Sequence, residues 1–168
     1  MKRTKNLIFA GALAALCCVC TLYISVPFPV GGGYFNLGDC FVITSGVVLG
    51  PLFGFFSAAI GSMLADLLAG YAIYAPGTFL IKGLMALVVG FMFAKNKKTF
   101  FIVLSAVVAE IIMVLGYFAY EFIITGSPSM AVLTLTGNLM QGLAGTVSSV
   151  ALIILITKNK SIKKFLFE

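Results

Sequence analysis

The chain has 168 residues, of which 61% are hydrophobic and 10% are charged, whereas soluble domains carry roughly 25% charged residues. A water-soluble fold of this size cannot bury so much apolar surface, because small proteins expose a large share of their residues. The composition excludes an ordinary soluble protein and makes membrane lipid the solvent for most of the chain. It predicts an all-α integral membrane protein, a compact bundle of six transmembrane helices in which residues 1–168 form a single domain.

The net charge of +6 is distributed unevenly along the chain. Ten of the eleven basic residues fall in three clusters, and each cluster borders a long apolar run. Lys and Arg beside membrane helices stay on the cytoplasmic side, so this pattern places both termini in the cytoplasm. It also excludes nucleic acid as a partner, because no basic and aromatic surface is left outside the clusters. The clusters are Lys2, Arg3 and Lys5; Lys95, Lys97 and Lys98; and Lys158, Lys160, Lys163 and Lys164.

Apolar runs and breakers predict the six helices in chain order, each crossing needing about 20 residues. The breakers are Pro and Gly in a first loop at 27–38, a turn at Gly50 and Pro51, a second loop at 74–77 and a last turn at 126–128. The second helix is shorter than the others, and a tilted or partial crossing is open for it. The predicted helices cover 6–26, 39–49, 52–71, 78–94, 99–124 and 131–157.

Polar residues inside the predicted helices are the candidates for function, since ionisable groups are costly in a membrane. On the fifth helix, Glu110, Tyr117 and Glu121 share one face at 100° per residue. Asn138 and Gln141 share a face of the sixth helix. If these faces meet near Lys82, they form a polar pocket with aromatic walls that opens to the outside. The alternative is purely structural, with Lys82 neutralising Asp66 or Glu110 as a buried ion pair.

No enzyme active site is predicted. The chain has no histidine, no phosphate-binding Gly-x-x-x-x-Gly-Lys-Ser/Thr sequence and no metal-ligand spacing, so neither a metal nor a cofactor is expected. Cys17 and Cys20 have the spacing of a redox pair, but they lie within an apolar run and are interpreted as small apolar filler.

Four segments carry a resemblance to a known family. They are GYFNLGD at 33–39, LGPLFG at 49–54, GSMLADLLAGY at 61–71 and YAPGTFLIKG at 74–83. In these segments the chain resembles the substrate-binding S components of energy-coupling factor (ECF) transporters, and is most similar to the riboflavin and hydroxymethylpyrimidine group. The six-helix layout and the length agree with that family along the whole chain.

The resemblance implies a vitamin-uptake subunit of a bacterial cell membrane. It implies that the chain binds a small aromatic vitamin or precursor and docks on a membrane scaffold subunit that two cytoplasmic ATPases energise. Pyridoxine or hydroxymethylpyrimidine is favoured and riboflavin comes next; the resemblance also makes Ala10 and Ala14 the docking surface and 27–38 a lid. The alternatives are a stand-alone proton-coupled secondary transporter and a structural membrane protein. The candidate binding residues are Tyr34, Asn36, Asp39, Asp66, Tyr74, Lys82, Glu110, Tyr117, Glu121, Asn138 and Gln141.

Overall fold

The structure, a computed structural model, describes residues 2–27 and 34–167. Within these residues it is a helical bundle with one small antiparallel β-hairpin, in which Ser25 pairs with Asn36. Five of its helices are long and apolar enough to cross a membrane. The elements are α1 (Lys2–Tyr23), β1 (Ser25–Pro27), β2 (Tyr34–Asn36), α2 (Gly38–Leu68), α3 (Ala75–Lys95), α4 (Thr99–Thr125), α5 (Pro128–Lys158) and α6 (Lys160–Phe167).

Helix α2 is a hairpin of two arms, 38–49 and 51–68. Gly50 has φ 75° and ψ −176°, which interrupts the helix directly before Pro51. The hydroxyl oxygens of Ser45 and Ser57 lie 3.5 Å apart, whereas a continuous helix would separate such residues by about 18 Å. The chain therefore reverses at Gly50, as the predicted turn requires. The first arm is also short as predicted, about 18 Å long against a hydrocarbon core of about 30 Å.

The elements share two ends, which we call the hairpin end and the basic end. The hairpin end holds the β-hairpin and residues 69–74 and 126–127, which join neighbouring helices. The basic end holds residues 96–98 and α6, and there the Lys5 ammonium donates to the backbone carbonyl of Phe165. The three basic clusters thus lie at one end of the bundle. Six membrane crossings with both termini in the cytoplasm remain a prediction.

The first and third predicted helices are too long at their carboxyl ends. The first was expected to reach residue 26 but ends at Tyr23, because residues 25–27 are paired in the β-hairpin. The third was expected to reach residue 71 but ends at Leu68, and Gly70 then takes φ 83°, a left-handed conformation that stops a helix.

Two other predicted helices begin too late, and one helix was not predicted. Pro76 and Pro128 lie in the first turns of α3 and α5, where proline starts a helix because the missing N–H has no partner there. The segment containing Lys160, Lys163 and Lys164 was interpreted only as a basic flank, but it forms α6. The predicted range 99–124 agrees with α4 to one residue.

Small residues bring the helix backbones into close contact, as is usual where helices pack in a membrane. A Cβ added to Gly46 would overlap the carbonyl oxygen of Ala86 on α3 and lie 3.0 Å from Val89 Cβ. A Cβ added to Gly61 would overlap the carbonyl oxygen of Ala14 on α1. These two contacts fix α1 and α3 against opposite arms of α2.

The orientation can be tested with single cysteines in a variant without native cysteines. We expect Asn96→Cys and Ser161→Cys at the basic end to resist an impermeant thiol reagent in intact cells, because basic residues beside membrane helices stay in the cytoplasm. Ser127→Cys, at the opposite end, should react. Asn96→Cys should be labelled only after the cells are permeabilised. Labelling of Asn96→Cys in intact cells would exclude this orientation.

Candidate functional site

A cavity lies among the helices at the hairpin end. Its empty volume is about 700 Å³, a figure that includes the open space at its mouth, and spaces between the helices of a bundle are a common place for small-molecule sites. Four helical segments each contribute two polar side chains spaced i and i+4, so that both point from one helix face into the cavity. The pairs are Ser62 and Asp66 on α2, Thr78 and Lys82 on α3, Tyr117 and Glu121 on α4, and Thr134 and Asn138 on α5. The remaining lining residues are Thr21, Asn36, Tyr71, Tyr74 and Gln141.

The floor of the cavity is a buried chain of hydrogen bonds. The Lys82 ammonium forms an ion pair with Asp39 Oδ1, and the Gln141 amide donates to Asp39 Oδ2 over 2.6 Å. The Asn36 amide donates to Gln141 Oε1 over 3.0 Å, and Asn36 Oδ1 accepts from the Gly38 N–H over 2.9 Å. These hydrogen bonds connect β2 of the β-hairpin to α2, α3 and α5. They therefore hold the β-hairpin against the floor of the cavity.

Two tyrosines form the polar wall. The Tyr74 hydroxyl donates to Glu121 Oε2 over 2.9 Å, and the Tyr117 hydroxyl lies 2.9 Å from Thr78 Oγ1. The Lys82 ammonium lies 5.4 Å from the centre of the Tyr117 ring, which is cation–π distance. Tyr74 lies between α2 and α3, where burial and then the bond to Glu121 raise its pKa to about 12. Its hydroxyl is therefore a donor throughout the physiological pH range.

Eight of the eleven predicted binding residues line this cavity. Of the other three, Asp39 lies beneath the floor, where it holds Lys82, and Glu110 lies deeper on α4 and outside the lining. Tyr34 lies in β2, and its side chain is outside the described part of the structure. The residues that do line the cavity are Asn36, Asp66, Tyr74, Lys82, Tyr117, Glu121, Asn138 and Gln141.

The structural alternative paired Lys82 with Asp66 or Glu110, but the ion pair that the structure shows for Lys82 is with Asp39. Counting the rise per residue along the predicted second helix, which begins at residue 39, places Asp39 at the membrane interface. However, α2 begins at Gly38, so Asp39 lies in its first turn and is fully buried. The β-hairpin covers this turn, and the apolar pattern of the sequence does not reveal that cover.

Five lining residues are not among the candidates predicted from the sequence, namely Thr21, Ser62, Tyr71, Thr78 and Thr134. Neutral hydroxyl side chains are common in membrane helices and carry little signal on their own. A signal did exist for two of them. Ser62 lies four residues before Asp66, and Thr78 lies four residues before Lys82, so each shares a helix face with a charged candidate.

Comparisons with known proteins agree with this architecture. The model of a family described as the S component of ECF-type riboflavin transporters matches residues 1–158. The chain belongs to this family. An uncharacterized protein of Pyrococcus woesei is 35% identical over 130 residues, which are 77% of this chain and 86% of that protein.

Two solved structures of S components share the fold. One is the S component of a bacterial ECF transporter, with a TM-score of 0.73, 18% identity and 99% coverage of both chains. The other is the S component for biotin from an ECF-type ABC transporter, with a TM-score of 0.71, 15% identity and coverage of 98% of this chain and 97% of the other. The resemblance found in the sequence is confirmed, and the protein is a multi-pass membrane protein of a transporter family.

Proposed function

We propose that this S component binds a small aromatic vitamin in the cavity at the hairpin end, in a bacterial cell membrane. The observation that supports the proposal is the cavity itself, whose tyrosine walls suit the face of an aromatic ring and whose amide and hydroxyl groups suit its polar edge. Riboflavin is the first ligand to test, because the family model is that of riboflavin transporters. Pyridoxine and hydroxymethylpyrimidine, favoured by the sequence, follow it.

The charges of the cavity favour a ligand without negative charge. The described lining has two acids, Asp66 and Glu121, and one base, Lys82. The charge of Lys82 is already neutralised by Asp39. A phosphate ester would therefore meet two carboxylates and no uncommitted cation in this lining, and like charges in a partly buried site repel strongly. Riboflavin should bind at least about tenfold more tightly than flavin mononucleotide, its phosphate ester.

Calorimetric titration of the purified protein tests the proposal. Within the described residues, the Asn138 side chain lines the cavity without an internal hydrogen bond, so its amide is available to a ligand. Asn138→Ala should weaken binding by roughly threefold to tenfold, the loss of one hydrogen bond. Asn96→Ala at the basic end is the matched control and should leave the ligand affinity unchanged. Mass spectrometry of small molecules released from the purified protein identifies the natural ligand, and the absence of binding by all three vitamins would overturn this choice of ligands.

The proposed partners are a membrane scaffold subunit and two ATPases, and the proposed docking surface is α1. The carbonyl oxygen of Ala10 accepts from Ser57, and the Ala14 backbone contacts Gly61, so part of each residue faces α2. Next to them runs an exposed strip of α1. We therefore extend the surface around Ala10 and Ala14 to this strip, which consists of Leu7, Ile8, Gly11, Ala12, Ala15, Leu16 and Val19.

Gly11→Trp should abolish vitamin uptake while the purified protein still binds its ligand. The site of the Gly11 Cβ has no neighbour within 4 Å in the described structure, so the indole would not disturb the bundle. It would prevent the close approach of another helix. Ala10→Trp and Ala14→Trp should have the same effect. Leu143→Trp, on the exposed surface of α5, is the control, and normal uptake by all the α1 variants would show that docking occurs elsewhere.

A further inference from the structure

Glu110 is a buried acid that the cavity does not use. Its side chain is 5% exposed, and within the described chain neither carboxyl oxygen has a hydrogen-bond partner. A Cβ added to Gly145 on α5 would overlap Glu110 Oε1 and lie 3.0 Å from Asp39 Cβ. The two acids therefore lie against the same small patch of α5, one turn below Gln141.

The base near these two acids is already committed to one of them. Lys82 forms its ion pair with Asp39, and the second oxygen of Asp39 accepts from the Gln141 amide. Asp39 thus has a donor on each oxygen, while Glu110 has none in the described residues. Of the two acids, Asp39 is the one that the structure stabilises as a carboxylate.

An ionised Glu110 would be a second negative charge beside Asp39 without hydrogen bonds to support it. Such a charge is costly in a protein interior, and a buried group avoids the cost by becoming neutral. We propose that Glu110 is a proton-binding site beneath the cavity. At neutral pH its carboxyl group stays protonated and neutral, so that no second cation is needed to balance it.

The surroundings of Glu110 leave few groups that could modify this behaviour. From the elements packed against it, the charged side chains that face it are Asp39 of α2 and Lys82 of α3. Helix α5 presents Gly142 and Gly145 at this point, and neither glycine can ionise. The negative charge of Asp39 favours the protonated form of Glu110. The positive charge of Lys82 opposes it, but Lys82 is already paired with Asp39.

Infrared spectroscopy can observe this proton directly. In an ester-free detergent such as a maltoside at neutral pH, the wild-type protein should show the carbonyl band of a protonated carboxylic acid. Incorporation of carbon-13 glutamate should shift the band and identify it as a glutamic acid. The band should be lost in Glu110→Gln and kept in Glu121→Gln, the matched control near the mouth of the cavity.

A second measurement uses stability. If folded Glu110 keeps a proton that the unfolded chain loses, the folded state binds more protons and stability falls as the pH rises. Between about pH 5 and pH 8, the unfolding equilibrium constant of the wild type should rise by up to tenfold per pH unit more than that of Glu110→Gln. A wild type without the glutamic acid band, a band that persists in Glu110→Gln, or parallel pH profiles would overturn the proposal. If Glu110→Gln does not fold, loss of the band in Glu121→Gln would overturn it instead.

Discussion

Asp39→Asn is expected to lower the free energy of unfolding by about 3–5 kcal/mol, the usual effect of removing one partner from a buried ion pair. The Lys82 side chain is 5% exposed and that of Asp39 is fully buried, so water cannot replace the lost carboxylate. The new Asn side chain would also have only one acceptor oxygen. Its NH2 group would face either the Gln141 amide or the Lys82 ammonium, so that two hydrogen-bond donors would oppose each other. Chemical or thermal unfolding in detergent, followed by circular dichroism, measures the loss.

Glu110→Gln is the matched control, because it removes a second acid that lies against the same patch of α5 but has no partner in the described residues. We expect it to change the free energy of unfolding by less than about 1 kcal/mol near pH 4–5, where an amide replaces an acid that is neutral in both the folded and the unfolded chain. Toward neutral pH it should raise the free energy of unfolding relative to the wild type, because the unfolded wild type loses a proton that the variant does not carry. The double variant Asp39→Asn with Lys82→Met should recover part of the stability, because it leaves no unpaired charge. Equal losses in Asp39→Asn and Glu110→Gln would contradict the assignment of the pair.

The sequence was sufficient for the membrane class, the family and most of the candidate site. Apolar runs and basic clusters depend on composition alone, and polar side chains at i and i+3 or at i and i+4 spacing stand out in apolar helices. For this reason Tyr117 and Glu121 on α4, and Asn138 and Gln141 on α5, were identified and do line the cavity. The site did not require a detailed three-dimensional prediction, because each helix presents its polar residues on one face.

The pairing within the floor could not be predicted from the same pattern. Helical periodicity states which residues share a face of one helix, but not which faces of different helices meet or at what depth. Asp39 pairs with Lys82, 43 residues later in the chain, because Gly50 reverses α2 and brings its first arm against α3. The distinction between the paired acid, Asp39, and the unpaired acid, Glu110, depends on that register. In the sequence Glu110, and not Asp39, was considered as a partner of Lys82.

The second large effect is expected at the contact that sets this register. Gly46→Ala should lower the free energy of unfolding by about 1–3 kcal/mol, the usual cost of overpacking a tight interior. The new methyl group would overlap the carbonyl oxygen of Ala86, a backbone atom that cannot rotate away, and would press on Val89. Helix α3 would have to move away from the first arm of α2.

The same substitution should also weaken ligand binding, which distinguishes it from a general loss of stability. Ala86 lies four residues from Lys82 on one face of α3, so a displacement at Ala86 separates the Lys82 ammonium from Asp39 and changes the cavity floor. Gly11→Ala is the control, since it adds the same methyl group at a helical glycine with nothing within 4 Å in the described structure. Alanine favours a helix over glycine by up to about 1 kcal/mol, so that variant should melt at the same or a higher temperature and bind normally. If Gly46→Ala melts and binds like Gly11→Ala, the contact between α2 and α3 does not determine the position of Lys82.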